Sequence, residues 1–471
     1  MKTYKYIKNE LILLALVSIV FLGCEREITD ENNLASLSST GEIFTDSPVG
    51  MGTDFYFPYG GSKATAWSVD ETEAYEGSAS MRFDIPNAND SEGNFAGAIF
   101  RIDGAGRDLT KYDALTFWAK ASQGTVIGEM GFGEDFIENN HVTTLQNVSL
   151  NTAWQKIIIP IPDASKLIEE RGMFRYAAGT QFTNGLGYTF WIDELKFEKL
   201  GTVAQPRPSI LNGSDISVNS FIGVTINITD LYQTYNLANG KDVSIAASPK
   251  YFTFTSSDSN VASVSDDGIV EIISDGTAVI TASIGGIEAK GSLSINSLGS
   301  FDFAPIPSRN SNDVISIFSD HYTNTTVDFY NGYWQPYQTT ESADFSINGD
   351  NFLNYTNFNF VGIQFANPTL NLTNYPNLHF NMYIPNQVPS NFDFLVTVVD
   401  FGPDGVNGGT DDTRQQLFVR RSPSIVADSW ITVEFSLSSL TNRSNVGLII
   451  FENINFSSLT NFYLDNVYFY R

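Results

Sequence analysis

The 471 residues carry 26 Lys and Arg against 53 Asp and Glu, a formal charge of −27, which makes the surface a poor partner for nucleic acid and other phosphate polyanions. One cysteine excludes an intrachain disulfide, and three scattered histidines beside it exclude the usual zinc sites. Aromatic residues reach 13% while charged residues stay at 17%, with 37 Gly, a balance that favours strands and turns; the length predicts about three domains of an all-β protein.

In chain order, Lys2, Lys5 and Lys8 precede an apolar run from Leu11 to Leu22, which Gly23 and Cys24 close. Basic, apolar and cleavage regions in that order are those of an export signal, and the run falls short of the roughly 20 residues that span a bilayer. With Leu22-Gly23-Cys24 as the lipobox, and Phe21 departing from its usual leucine, residues 1–23 resemble a bacterial lipoprotein signal. The resemblance implies that Cys24 is lipidated and anchors the chain to the outer membrane. Residues 24–43 are acidic, polar and without hydrophobic period, and read as a flexible tether. Glu25, Glu27, Asp30 and Glu31 loosely resemble the signal that sends Bacteroidota lipoproteins to the cell surface.

Beyond the tether the sequence repeats itself. FTDSPVGMGTDFY from Phe44 aligns without a gap with FSDHYTNTTVDFY from Phe318, and Tyr59 and Tyr333 keep the same offset. Four more blocks follow in register: FAGAIF and FVGIQF, LTKYDALTF and LTNYPNLHF, AWQKIIIPI and SWITVEFSL, FWIDELKF and FYLDNVYF. Residues 44–200 and 318–471 are therefore two copies of one module, the second domain being counted from 303 to 471. Period-two alternation in TFWAK and HFNMY, with Gly, Asn and Asp turns between short strands, predicts a two-sheet sandwich for each copy, with jelly-roll topology preferred. The last strand of each copy is expected to close a sheet and return the chain near its start.

Between the copies, residues 206–297 alternate small polar and aliphatic residues, with strands every eight to twelve positions. The pattern at Thr255–Val264, Gly268–Val270 and Gly276–Ala282 resembles a group 2 bacterial immunoglobulin-like domain. That resemblance implies fold and says little about function. The stretches 204–208 and 303–312 read as proline-stiffened linkers that keep the modules apart.

The duplicated module, through its repeated F-[WY]-[IL]-D-[EN]-[LV]-x-F ending and its L-T-x-Y-x-x-L-x-F strand, resembles the jelly-roll carbohydrate-binding modules of Bacteroidota glycan-utilisation proteins, the second copy looking like those found beside laminarinases. The resemblance implies a polysaccharide partner, with a β-glucan such as laminarin as the expected polymer, and a neighbouring outer-membrane transporter. A sugar needs a flat aromatic face and hydrogen-bonding side chains. If Phe117 and Phe380 face the core, then Trp118, with Asn381, His379 and Tyr383 in the second copy, points to the opposite surface; Trp67, Tyr333, Trp334 and Tyr337 lie in turn-rich segments fit for a platform. Trp154 and Trp430 read as structural. Asp46, Asp54 and Asp193 correspond to Asp320, Asp328 and Asp465, and bringing acids to the first and last strands suits either a structural Ca²⁺ or a set of turn caps. No E-x-D-x-x-E or G-x-S-x-G motif occurs, and neither the cluster Glu134, Asp135 and Glu138 nor His141, His321 and His379 forms a motif-grade catalytic set, so the chain reads as a non-enzyme. A spacer or adhesion role with purely structural sandwiches is the other reading.

Overall fold

The computed structural model describes residues 36–342, 345–347, 349–420 and 424–471; the export signal, Cys24 and the tether as far as residue 35 lie outside them. The described chain is all-β and divides into two compact units, with the boundary between Val203 and Ala204.

The first unit holds eleven strands among its described residues: β1 (Glu42–Phe44), β2 (Tyr56–Pro58), β3 (Trp67–Asp70), β4 (Ser80–Ile85), β5 (Ala96–Arg101), β6 (Ala114–Ala121), β7 (Thr125–Phe132), β8 (Thr143–Leu150), β9 (Gln155–Pro160), β10 (Gly172–Ala178) and β11 (Tyr188–Glu198). One sheet runs β3-β4-β11-β6-β9, with β1 beside the second half of β11, so the first and last strands do meet. We call it the terminal sheet. The facing sheet contains β8-β7-β10-β5-β2 and is called the glycine sheet after Gly97 on β5. Alternation places Phe83, Phe100, Phe117, Phe174, Tyr176 and Phe190 between the sheets, all essentially inaccessible. Burying each such ring contributes about 1.5–3 kcal/mol. Phe83 and Phe190, cross-strand partners on β4 and β11, stack with centroids 4.5 Å apart.

The second unit begins with sandwich strands whose alternation is plain in Gly276–Ile284, where Ala278, Ile280, Ala282 and Ile284 are buried and the residues between them face outward. Asp215–Ser220 pairs in parallel with Ser292–Ser297, and Thr225–Asn227, Ile269–Ile272 and Ala262–Val264 form a facing sheet. The second jelly roll follows. Its terminal sheet contains Asp350–Thr356, Phe462–Tyr470, Asn377–Tyr383 and Trp430–Ser436, with Val314–Phe318 on the last strand, and its glycine sheet is Phe360–Gln364, Val446–Asn453, Phe394–Asp400 and Thr413–Val419.

The stretch read as a stiff linker differs from expectation. Residues 301–309 lie as a strap across the outer face of the second copy's terminal sheet. Phe301 is buried against Phe352, Tyr383, Trp430 and Tyr463 at centroid distances of 5.0–6.0 Å, and against Phe221 of the preceding sandwich at 4.7 Å. The Asp302 carbonyl accepts from Trp430 Nε1 at 2.6 Å, the Pro305 carbonyl accepts from Asn466 Nδ2 at 3.3 Å, and Arg309 pairs with Glu434 at 2.8 Å. Composition does not reveal that an apolar face lies beneath this stretch.

Candidate glycan-binding faces

The strap settles where three expected ligand residues lie. His379, Asn381 and Tyr383 do share the outer face of the terminal sheet, but they are 8%, 1% and 5% exposed because that face is covered. His379 stacks on Tyr468 at 4.3 Å and faces Glu434 at 3.2 Å, and burial lowers its pKa. Asn381 donates to Thr432 Oγ1 at 3.0 Å and accepts from Asn466 at 3.0 Å. Tyr383 belongs to the box around Phe301.

The equivalent face of the first copy carries Trp118, half-buried as alternation predicts. Tyr75 stacks on it at 3.9 Å and 13°, taking a ring face that a sugar would need. Tyr75 rides on a loop pinned by two of the expected calcium ligands. Asp193 accepts from the backbone N–H groups of Tyr75 (2.7 Å), Glu76 (3.1 Å) and Glu194 (2.7 Å), and Asp46 from those of Ser78 and Ala79. Burial raises the Asp193 pKa, whereas the Ser78 and Ala79 donors lower that of Asp46. These are turn caps. Asp54 is exposed, and Asp328 accepts from Ala366 N at 2.6 Å and Asn367 Nδ2 at 3.0 Å. Among the described residues no group of three His, Cys, Asp or Glu side chains is placed to hold a metal ion. The second copy does bring acids close, with a member the sequence reading missed. Asp320 shares its surroundings with Asp350, whose pKa burial and the Asp320 carboxylate push up to about 6, while burial and both neighbours raise Asp465 to about 7. Asp350 has no acidic counterpart in the first copy, so the repeat did not reveal it.

Trp67 is half-buried between the sheets, its ring 5.4–5.5 Å from those of Phe55, Tyr56 and Phe100. It seals the core edge.

The glycine sheets present a different surface. In the first copy Tyr59 lies across Gly97: a Cβ there would stand 2.7 Å from Tyr59 Cδ2. In the second copy Trp334 lies across Gly362, where a side chain would collide with the indole. These are the same glycine of the FAGAIF and FVGIQF blocks, so the structural partner of Tyr59 is Trp334, one residue beyond the Tyr333 that alignment suggested. Directly opposed residues of antiparallel strands share a face. The row leaving Gly97 is therefore Ala177, Glu129 and Gln146, and the row leaving Gly362 is Ile450, Thr397 and Gln416. Both rows begin with an aromatic on a glycine and end on an exposed glutamine, across about 14 Å at a strand spacing near 4.8 Å.

Around these rows the copies diverge. In the first, Arg175 is the centre of a polar network: its guanidinium meets Glu134 at 2.6 Å, Glu129 at 2.8 Å and Thr144 Oγ1 at 2.6 Å, and Tyr59 donates its phenol proton to Glu134 at 2.7 Å. Burial raises the Tyr59 pKa, so the phenol stays protonated. In the second, Trp334 packs with Ile450, Val399, Phe401 and Leu448, and its ring stands 5.9 Å from that of Phe360. The adjoining row is Phe360, Glu452, Leu395 and the exposed Phe418. Buried amides fix the turn that delivers Trp334. Gln338 accepts from Trp334 N at 3.0 Å and donates to Asn331 Oδ1 at 2.5 Å, while Asn331 accepts from Tyr333 N at 3.2 Å. Tyr333 sits at φ 46°, left-handed backbone that costs a bulky residue about 1–3 kcal/mol. Tyr333 and Tyr337 are 53% and 78% exposed. An arginine inside the apolar strand MFRYAA, and a glycine kept in a repeated strand block, were the sequence signals that could have marked these faces.

Residues 41–199 match the family described as Carbohydrate binding domain 30. The match spans about a third of the chain and coincides with the first jelly roll. Similar solved structures include a family 30 carbohydrate-binding module, 19% identical, covering 34% of this chain and 98% of that one with a TM-score of 0.26. A second is the family 30 module of the cellulosomal cellulase Cel9D-Cel44B of Clostridium thermocellum, at 20% identity, 34% and 96% coverage and a TM-score of 0.24. The N-terminal CBM22-1-CBM22-2 tandem domain of Paenibacillus barcinonensis Xyn10C is 8% identical, covering 93% of this chain and 99% of that one with a TM-score of 0.22. Among curated proteins no relative matches. The first unit thus carries the sequence pattern of a carbohydrate-binding domain, and the second jelly roll repeats its strand blocks.

Proposed function

We propose that the protein captures a polysaccharide without cleaving it, through the glycine-sheet faces of its two jelly rolls. One observation carries this reading: in both copies an aromatic ring is laid on the same strand glycine, at the head of a row that ends on an exposed glutamine. Such a row offers an apolar face for pyranose C–H groups and an amide partner for hydroxyls, joined in the first copy by the Glu129 carboxylate. The family match over the first copy supports the same ligand class. A β-glucan such as laminarin is the proposed polymer. Two sites on one chain gain avidity if a single polymer reaches both. The lipoprotein-like N-terminus supports a place on the outer surface of the outer membrane, anchored through Cys24, where captured glycan would pass to a transporter and to separate hydrolases.

Affinity gel electrophoresis of the full chain against a polysaccharide panel that includes laminarin tests the proposal. Retardation is expected, reduced by Tyr59→Ala and by Trp334→Ala and lost in the double variant. A chain that migrates past every glycan unretarded returns the sandwiches to a spacer or adhesion role. Membrane release of Cys24→Ser tests the anchor; continued membrane association would dismiss it.

A further inference from the structure

The turn that seats Trp334 on the sheet turns a second aromatic the other way. Tyr333 lines a separate cleft of about 750 Å³ at the loop end of the second jelly roll, with Gln335, Thr340, Glu341, Asn357 and Thr460 around it. Half of the Tyr333 surface is open to solvent although the residue is held in left-handed backbone. Strain retained by a rigid frame marks a position whose geometry is kept for a reason other than stability. The frame is explicit: Asn331 and Gln338, both buried, bond the turn to itself and to the Thr340 carbonyl, from which Asn331 Nδ2 stands 3.3 Å and Gln338 Nε2 3.2 Å. An exposed phenol ring pre-set in this way meets a ligand without paying to order it.

We infer that this cleft is a second saccharide subsite, taking one neutral sugar unit against Tyr333 with its hydroxyls bonded by Gln335, Glu341, Asn357 and Thr460. The inference rests on the glycan-binding reading above and extends it: the second copy would hold a glycan on both sides of one turn, by Trp334 on the sheet face and by Tyr333 at the loop end. The lining suits an uncharged sugar. Its one carboxylate among the described residues is Glu341, which accepts hydrogen bonds from sugar hydroxyls and repels a uronate.

Calorimetric titration of the full chain with laminarin, beside thermal melts, tests it. Tyr333→Gly removes the ring and relieves the left-handed strain, so the melting temperature should hold or rise while the laminarin Kd rises about tenfold, the equivalent of about 1.4 kcal/mol. Glu341→Ala, a surface change, should raise Kd by a smaller factor with no change in melting. An unchanged Kd in either variant overturns the subsite, and if Trp334→Ala still weakens binding, the glycan-binding reading survives that loss. A wild-type chain that binds no glycan of the panel overturns both.

Discussion

In the first copy Lys120 and Trp191 face each other across the terminal sheet, at the register positions that Tyr383 and Tyr463 hold in the second. Around Lys120 the first copy gathers Trp154 and Trp191 at 5.6 and 5.1 Å and an ion pair to Glu73 at 2.7 Å, with its own loop residue Tyr75 closing over Trp118. The second copy replaces the cation by Tyr383 and receives Phe301 from the incoming chain. One strand alternation has produced a charged, half-open surface in one place and an interior in the other. Outward-pointing aromatics therefore do not by themselves mark a ligand face; what lies over them decides, and that is contributed by residues distant in sequence.

This contrast can be broken at Phe301. Phe301→Ala should cost about 3–5 kcal/mol, as for other buried phenylalanines, lowering the melting temperature of the second unit on the order of ten degrees. The first unit's transition should stay in place; calorimetry showing both transitions falling together would contradict the division into units. The acids supply the next largest effect. Asp465 has a folded pKa near 7, raised by burial and by Asp350 and Asp320, far above its unfolded value near 3.9. The native state therefore binds the extra proton, and the associated stability is complete below about pH 4 and is lost as pH rises through 7, amounting to about 4 kcal/mol at most. Melting of the second unit should fall from pH 5 to pH 8, and Asp465→Asn should flatten that fall. A wild-type profile that is level, or rises, over this range would show the carboxyl ionised throughout.

Tyr75→Ala sharpens the comparison from the other side. Tyr75 is 40% exposed, so its loss should cost about 1 kcal/mol, mostly the ring pair with Trp118, and should leave laminarin retardation as in wild type. Weakened retardation would instead make the terminal-sheet face of the first copy a binding surface. Smallest of all should be the response of the first unit to EDTA: Asp46 and Asp193 already have backbone N–H partners, so no shift is expected, and any calcium effect should be confined to the second unit, where Asp320, Asp350 and Asp465 repel one another. A first-unit transition that drops on chelation would restore calcium to that copy.

The all-β class, the duplication and the return of the last strand to the first were legible because each rests on local period or on a repeated block. Phe117 and Phe380 fell inside and Trp118 outside, as alternation requires. Asn381, His379 and Tyr383 were placed on the correct face and given the wrong exposure, because period two separates the sides of a sheet and carries no information about a strap arriving from elsewhere. Arg175 escaped notice for the opposite reason: its partners Tyr59, Glu129, Glu134 and Thr144 come from four separate places in the chain, and no spacing joins them. Asp46, Asp54 and Asp193 read as one set that suits either a cation or turn caps, because carboxylates that face backbone N–H groups and carboxylates that face a cation look alike in one dimension.

The strap also has a mechanical meaning. Chain leaving the middle sandwich reaches the second jelly roll through residues 301–309 before it enters the strand Val314–Phe318. A pull on the backbone from that side meets Phe301 in its aromatic box, then the Asp302–Trp430 and Pro305–Asn466 hydrogen bonds, then the Arg309 guanidinium held by Glu434 and lying 3.5 Å from the Tyr470 ring centroid. These contacts must be stripped from the sheet before tension reaches the pairing of Val314–Phe318 with the last strand. Tension entering from the middle sandwich is thus taken up along the strap, and the sheet beneath it is spared until these contacts give way.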